Sequence, residues 1–527
     1  MTKTLFFLLC SLLAANMYAQ PDIQWQLTFG QLGPDVQTKI HQTLDGGYIA
    51  IGTSSSIFPE DTTVSHDVQT SNIWVIKLNA IGQVQWQKEY GGPDFDNSGN
   101  IIQTDDMGYI FAGTTSSFNN NMLLSDAFVV KIDSLGNIQW QQSYGNSGVD
   151  VAHGIQKAAN GGYFLFCQAA INGGQVSGNH GSGDMWLVRL SDTGSIEWEL
   201  CYGGSDQERA DAFTVTSDGG CLLSGESWSD DGDVSGNHGG GPPDIWLAKV
   251  SASGVLEWQK ALGGTGYDSP SAVRQTNDNG YIVTGSTNSN DGDASGYHQD
   301  EFYSGDIWVV KLDQSGTIQW QKVLGGFRYE DAGDIQQTVD GGYIVTGVTA
   351  STDGDLSGLT APGPGTLDIW LIKLNALGDI IWQKRIGGGE RDVASAIEQT
   401  TDGGFILSGS TTSKDGDVIG ATGFYPDFWV VKLSADFVGI KDLFEPNPSE
   451  RLELFPNPAQ DRISVKVDDG AVAMSARILD SSGRELSRQI IQHSGFLDVS
   501  TLPNGMYFVE VTTVSGKVFS NKFRKQQ

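Results

Sequence analysis

The chain is short of positive charge, of cysteine and of long apolar runs, and each shortage removes a class of protein. Thirty-one Lys and Arg stand against 63 Asp and Glu in 527 residues, a formal net charge of -32. A surface this negative repels phosphate backbones and anionic headgroups, which excludes nucleic-acid and membrane-surface binding for the region that carries it. That region ends before residue 446, because residues 446–527 hold ten Lys or Arg and nine Asp or Glu and are nearly neutral. Cations, basic proteins and neutral sugars are left as partners. Beyond residue 19 no apolar run approaches the roughly 18 residues that cross a bilayer, so the sequence offers no membrane span.

Four cysteines are too few for a disulfide framework in a chain of this length, and none has metal-ligand spacing. Cys10 lies in the N-terminal apolar segment. Cys167, Cys201 and Cys221 form an odd set that reads as small core hydrophobes, Cys221 standing where other repeats have Tyr or Phe. Also missing are a nucleophile elbow, a His-Glu-x-x-His helix and a phosphate-cradling glycine loop. An enzyme would need a cluster that breaks the repeat around one substrate, and none stands out. Carboxylates are abundant enough to keep a glycosidase-like pair among the alternatives.

What is present begins with 69 glycines, 39% apolar and 18% charged residues, the composition of a turn-rich, folded all-β protein. Residues 1–19, with Lys3, an apolar run from Leu5 to Ala15 and a cut site after Ala19, have the layout of a secretory signal peptide, so the mature chain is expected to begin near Gln20. Three landmarks then recur seven times each. Apolar-x-Trp falls at Trp25, Trp86, Trp140, Trp198, Trp258, Trp320 and Trp382, in steps of 54 to 62 residues. An aromatic or Cys after Gly falls at Tyr48, Tyr109, Tyr163, Cys221, Tyr281, Tyr343 and Phe405. Asp/Asn-x-aromatic centres on Trp74, Phe128, Trp186, Trp246, Trp308, Trp370 and Trp429.

Each unit holds four short β-type runs, in the fifth Ser271 to Thr276, Tyr281 to Gly285, Ile307 to Leu312 and Thr317 to Leu324. Asp-Gly-Gly or a relative joins the first two and a short polar loop the last two, both tight-hairpin chemistry. Four-stranded units at this period predict a seven-bladed β-propeller over residues 20–440. The chain opens with a lone fourth strand, Ile23 to Phe29, and its seventh unit stops after the third, Phe428 to Leu433. Pairing the two ends would close the ring and protect its edges. The repeated Trp and Tyr are expected to pack between blades.

The loops joining strands two to three and those leading to the next blade then open on one face, the natural place for binding. On it blades four to six carry Asp231-Gly-Asp233-Val-Ser235-Gly236, Asp291-Gly-Asp293-Ala-Ser295-Gly296 and Asp353-Gly-Asp355-Leu-Ser357-Gly358. Oxygen side chains at positions 1, 3 and 5 with Gly at 6 suit a hard cation, and Asp244, Asp306 and Asp368 are candidates for a further carboxylate. Calcium at these residues is one reading and plain turn chemistry the other. Blade seven has Asp415 and Asp417 but Ile419, and blade three only Gln175 and Ser177. His180, His238 and His298 follow the same loop and read as exposed polar residues rather than metal ligands. A second series, Asp35, Asp96, Asp150, Glu208, Asp268, Glu330 and Asp392, follows the Gly that ends each fourth strand by five residues, just before the innermost strand is expected to start. Those seven carboxylates either ring the channel mouth and attract cations or brace a repeated turn.

After a linker at 441–451 the text changes to Leu452-Glu-Leu-Phe-Pro-Asn-Pro-Ala459, an Asp480-Ser-Ser-Gly483 turn, Leu502-Pro-Asn-Gly-Met-Tyr-Phe508 and the basic end Lys522-Phe-Arg-Lys525. In that order these motifs resemble the type A sorting domain of the type IX secretion system. The resemblance implies, for residues 452–527, a small β-sandwich recognised by the secretion machinery at the outer membrane, usually removed, and found in Bacteroidota. It is an address, not an activity. The chain is therefore expected to pass the periplasm by its signal peptide and to act outside the cell, secreted or on the outer surface, as a binding or scaffold module for a polysaccharide or protein. A polysaccharide hydrolase or lyase and a structural surface-layer component are the alternatives.

Overall fold

The computed structural model describes residues 20–30, 33–55, 70–118, 124–146, 148–238, 241–298, 305–360, 366–422, 425–436, 452–467, 473–479, 485–491, 496–513 and 518–526. The segments expected as a signal peptide at 1–19, a linker at 441–451 and a turn at Asp480–Gly483 lie outside the described residues. The chain divides into two compact units, one spanning Tyr18–Asp436 and the other including Phe437–Gln527. Among the described residues no helix is long and apolar enough to cross a membrane.

Among the described residues the larger unit has seven four-stranded antiparallel sheets. Their first strands are Asp35–Gln42, Asp96–Gln103, Asp150–Lys157, Glu208–Val215, Asp268–Gln275, Glu330–Gln337 and Asp392–Gln399, which number blades one to seven. Each first strand touches the next, and the seventh touches the first, so the sheets form a closed ring. Blade four continues through Cys221–Ser227, Asp244–Val250 and Leu256–Leu262, and the other blades repeat that order.

Burial explains the sequence pattern of each strand. Third strands such as Asp306–Leu312 are buried at every residue because a neighbouring blade covers each face. First strands alternate, as in Asp392–Gln399, because one face looks into the central channel. These strands begin three residues earlier than the pattern in blade five suggested, so the acid that precedes the expected strand is its first residue. The Asp-Gly-Gly turns are set by their Asp. Asp340 accepts from Thr338 Oγ1 at 2.5 Å and Gly342 N at 3.0 Å, Gly341 takes φ +82°, and fully buried Lys373 pairs with the same carboxylate at 2.9 Å. A buried ammonium is tolerable only with such a partner, and Lys77, Lys249, Lys311 and Lys432 find theirs in the same way.

Ring closure follows the expected route. Ile23–Phe29 pairs antiparallel with Asp427–Leu433, Leu27 opposite Val430 and Phe29 opposite Phe428. Gln26 accepts from the Trp429 indole at 3.0 Å, as Gln259 does from Trp246 within blade four at 2.9 Å. Fourth-strand Trp side chains meet the next blade's second strand edge to face: Trp25 on Tyr48, Trp258 on Tyr281 and Trp320 on Tyr343, with centroids 5.6, 5.8 and 5.7 Å apart. The third-strand Trp residues are fully buried, and removing such a ring from water stabilises by about 3 kcal/mol. Cys167, Cys201 and Cys221 are buried and unbonded to one another, filling core positions.

The smaller unit has a three-stranded sheet, Leu452–Phe455, Arg462–Val467 and Phe496–Asp498, and a four-stranded one ordered Glu485–Ile490, Ala473–Leu479, Gly505–Thr513 and Val518–Lys525. Ile463, Ile478, Val509 and Phe523 fill the core between them, a small sandwich. Its opening motif is tied to its basic end. Asn457 Oδ1 accepts from Arg524 N at 2.9 Å, and Ala459 N donates to Arg524 O at 2.7 Å.

Candidate functional site

The Asp-Gly-Asp loops are used to hold the neighbouring loop, the one that leads into their own blade. Asp231 accepts from Ser205 N and Oγ, both at 2.7 Å, Asp291 from Thr265 N and Oγ1 at 2.7 and 2.9 Å, and Asp353 from Phe327 N at 2.9 Å. Asp233, Asp293 and Asp355 bond through their backbone N–H to the carbonyls of Gly203, Gly263 and Gly325. Ser235 and Ser295 accept from Gln259 and Gln321 at 2.5 Å, while Ser357 donates to Gly354 O at 2.8 Å. Asp244 and Asp306 lie buried under the loop, each accepting from a histidine twice: from His238 N and Nδ1 at 2.7 Å, and from His298 N at 2.8 Å and Nδ1 at 2.9 Å. His180 does the same for Asp184 in blade three, and Arg385 replaces the histidine for Asp368 in blade six. The histidines, His180 exposed and His238 and His298 partly so, also latch the long loop. Among the described residues no three His, Cys, Asp or Glu side chains gather as a metal ion would need.

The seven acids that start the blades do not ring the channel mouth. Asp35, Asp96, Asp150, Glu208, Asp268, Glu330 and Asp392 are fully buried. Asp268 accepts from Gly264 N at 2.9 Å, Ser289 Oγ at 2.8 Å and the Thr287 hydroxyl, so turn bracing is what the repeat retains. The glycine before each acid's partner loop is obligatory: a Cβ on Gly263 would stand 2.4 Å from Asp244 Oδ1 and 2.6 Å from Asp268 Oδ2. Burial pushes the Asp150 and Asp268 carboxyls up to about 6.

Asymmetry appears in the channel. Every first strand carries a bulge at its fourth residue, for example between Ala152 and Gly154 and between Ala210 and Ala212, and a bulge re-aims one side chain. In blades two, five, six and seven that residue is Gly99, Ser271, Gly333 or Ser395, whereas blades three and four place His153 and Asp211 there. These two, with Lys39, Arg274 and Asp334, line a cavity of about 350 Å³. Asp334 is 1% exposed and ion-pairs with Arg274 at 3.0 Å and Lys39 at 3.5 Å. Burial, opposed by Arg274 and Lys39, leaves its carboxyl below the usual range. Asp211 shows the opposite: burial, then the negative charge of Glu226, pushes its carboxyl well above the usual range, and its Oδ2 has no hydrogen-bond partner. Burial holds the His153 ring neutral, down to about 4, and leaves Nε2 without a hydrogen-bond partner.

At the long-loop end of the channel Glu226 accepts from the Tyr267 hydroxyl at 2.6 Å and lies 3.6 Å from Arg209. One blade on, Tyr329 donates to Asp331 at 3.0 Å. Tyr267 and Tyr329 sit at the same repeat position, just before the bracing acid, and keep 40% and 42% of their surface exposed beside Phe327 at 59%. None of this cluster was singled out from sequence. The available signal was the comparison of the seven copies at the bulged fourth position.

Residues 453–525 match the family model described as a secretion system C-terminal sorting domain. No curated protein matches the chain. Among solved structures the chain is similar to a protein of unknown function from Bacteroides caccae, at 11% identity over 67% of this chain and 94% of that one, TM-score 0.34. It is also similar to a protein of unknown function from Dyadobacter fermentans, at 10% identity over 79% and 99%, TM-score 0.39. A third is the Pan2 WD40 domain of Neurospora crassa, at 10% identity over 76% and 89%, TM-score 0.41. The ring itself, not these likenesses, carries the fold. Residues 453–525 are a type IX secretion sorting domain, joined to a β-propeller that this domain directs out of the cell or onto its outer surface.

Proposed function

We propose that the propeller is a polysaccharide-binding module of the bacterial cell exterior. On this reading it reaches the periplasm by the signal peptide at residues 1–19 and is passed on by the secretion machinery of a member of the Bacteroidota through residues 452–527. Its ligand lies across the long-loop rim of blades four to six. The observation that carries the reading is the pair Tyr267 and Tyr329, whose hydroxyls are fixed by Glu226 and Asp331 while their rings stay open to solvent. A fixed aromatic face stacks on the apolar face of a sugar, and flanking carboxylates accept from its hydroxyls, at little cost in side-chain entropy.

The test is titration of the full chain with soluble plant and microbial polysaccharides. Binding is expected to weaken by at least about tenfold in the Tyr267→Ala/Tyr329→Ala variant, with the melting temperature unchanged. A chain that binds no glycan, or a double variant that binds as well as the parent, overturns the proposal. The same panel read for new reducing ends decides a second reading, hydrolysis, which Asp211 favours as a carboxyl that burial and then Glu226 push above the usual range. Release of ends that Asp211→Asn abolishes would make the channel cavity an active site.

A further inference from the structure

We propose that two aromatic rings on the outer face of the sorting domain, Phe455 and Phe496, form a slot that a protein of the secretion machinery fills with an apolar side chain. The inference rests on residues 453–525 being the export address, and it names the surface that is read. Strand register places the rings. In the three-stranded sheet Arg462–Val467 is the central strand, and its Ser464 stands opposite Phe455 on one side and Phe496 on the other. Residues directly opposite share a face, so the three form one transverse row. The alternate residues Leu454, Ile463, Val465 and Leu497 are buried in the core, which turns the row outward. Phe455 is 74% exposed and Phe496 52%. Adjacent strands lie roughly 5 Å apart, so the rings rise from strands roughly 10 Å apart with only a hydroxymethyl group between them, a slot for one side chain.

Packing inside the domain does not account for these rings. Aromatic pairs stabilise a sheet when they are cross-strand neighbours, and these two are held apart by Ser464. A ring contact that does serve packing, Tyr507 on Phe523 with centroids 5.6 Å apart, lies in the core. Single exposed apolar side chains are ordinary on a protein surface, whereas two large rings in one register row, either side of a small residue, are a shaped apolar feature. Charge argues for the occupant. Phe455 opens the Phe-Pro-Asn-Pro motif, and Asn457 ties that motif to the basic end: its Oδ1 accepts from Arg524 N at 2.9 Å and its Nδ2 donates to Lys522 O at 3.2 Å. Lys522 and Arg524 are exposed, so positive charge adjoins the motif that begins at the slot. Residues 446–527 are nearly neutral in a chain of net charge -32, which makes this the part that a neutral or acidic receptor can approach. A second copy would bring its own excess of acids against it. The slot is set in the plane of a sheet and not on a protruding tip, so it suits a side chain brought to it better than a lipid surface.

The experiment places the full chain in a type IX-secreting host and reads, by immunoblot, the ratio of protein outside the cell to protein held in the periplasm. The parent is expected outside. Phe455→Ser/Phe496→Ser is expected to lower the ratio by at least about tenfold, with an unchanged melting curve. Phe455→Tyr/Phe496→Tyr, which keeps the rings, is expected to match the parent, and so is Phe508→Ser, which removes a ring 39% exposed on the other sheet. Export of the serine pair at the parent's level, an equal loss in Phe508→Ser, or flotation of the purified parent with anionic phospholipid vesicles that the serine pair loses overturns the proposal. If the serine pair does not fold, Ser464→Trp, which fills the slot and removes nothing apolar, is expected to show the same loss, and its export at the parent's level overturns the proposal. A parent chain that stays in the periplasm overturns the address reading itself, so the two fail separately.

Discussion

Individual carboxylates decide most of what the long-loop face can do. Asp231, Asp291 and Asp353 stand where a calcium loop would want ligands, and each already accepts backbone N–H bonds from the adjoining loop. Calcium there is a proposal of its own, and it requires those oxygens to turn from amide donors to an ion. Melting the chain in millimolar calcium and then in excess chelator separates the two uses, since an ion bound only by the native state must raise its stability. The bonding favours an unchanged midpoint. A reversible rise of several degrees would show that the loops rearrange around the ion. The histidines show what residue type alone leaves out: His238 is partly exposed, and its Nδ1 also lies 2.7 Å from a carboxylate that the sequence puts six residues away.

Among the strand elements, the seven first strands carry a pH response. Asp150 and Asp268 start blades three and five and hold their protons up to about 6, against about 4 in an unfolded chain. Their folded-state values are raised, so their contribution to stability is complete below about pH 4 and is lost as pH rises through about 6. The urea midpoint is therefore expected to be higher at pH 5 than at pH 7.5, and Asp268→Asn to flatten part of that slope. A midpoint that rises toward neutral pH would contradict the assignment. Asp106, pulled down to about 2 by Lys131 and then Thr104, and Asp278, pulled down to about 2 by Thr276 and then Lys311, act in the other direction and only in stronger acid.

The strands themselves were largely legible, because Trp, an aromatic or Cys after Gly, and Asp-Gly-Gly or a relative mark each edge and turn seven times and the buried runs need no context. The channel was not. Period-two alternation assigns each first-strand residue to a face, and the bulge at the fourth residue breaks that count where His153 and Asp211 stand. The Lys39–Asp334 pair spans 295 positions and is visible only once the ring is closed.

For the whole molecule, closure is the step on which everything else depends. Ile23–Phe29 supplies the outer strand of blade seven, and without it Trp429 loses its Gln26 partner and Asp427–Leu433 becomes a bare edge. Removing residues 20–29 is expected to lower the melting temperature by roughly ten degrees or more and to make the protein self-associate, read by light scattering. An unchanged midpoint would mean that six blades and three strands suffice.

That same pairing sets a clock. Gln26 and Trp429 are separated by 403 residues, so at roughly 5–20 residues per second the first strand waits on the order of tens of seconds for its partner to be synthesised. The sorting domain is made after that partner. A chain long enough to show its export address is already long enough to shut its ring, and one terminated before Asp427–Leu433 carries neither.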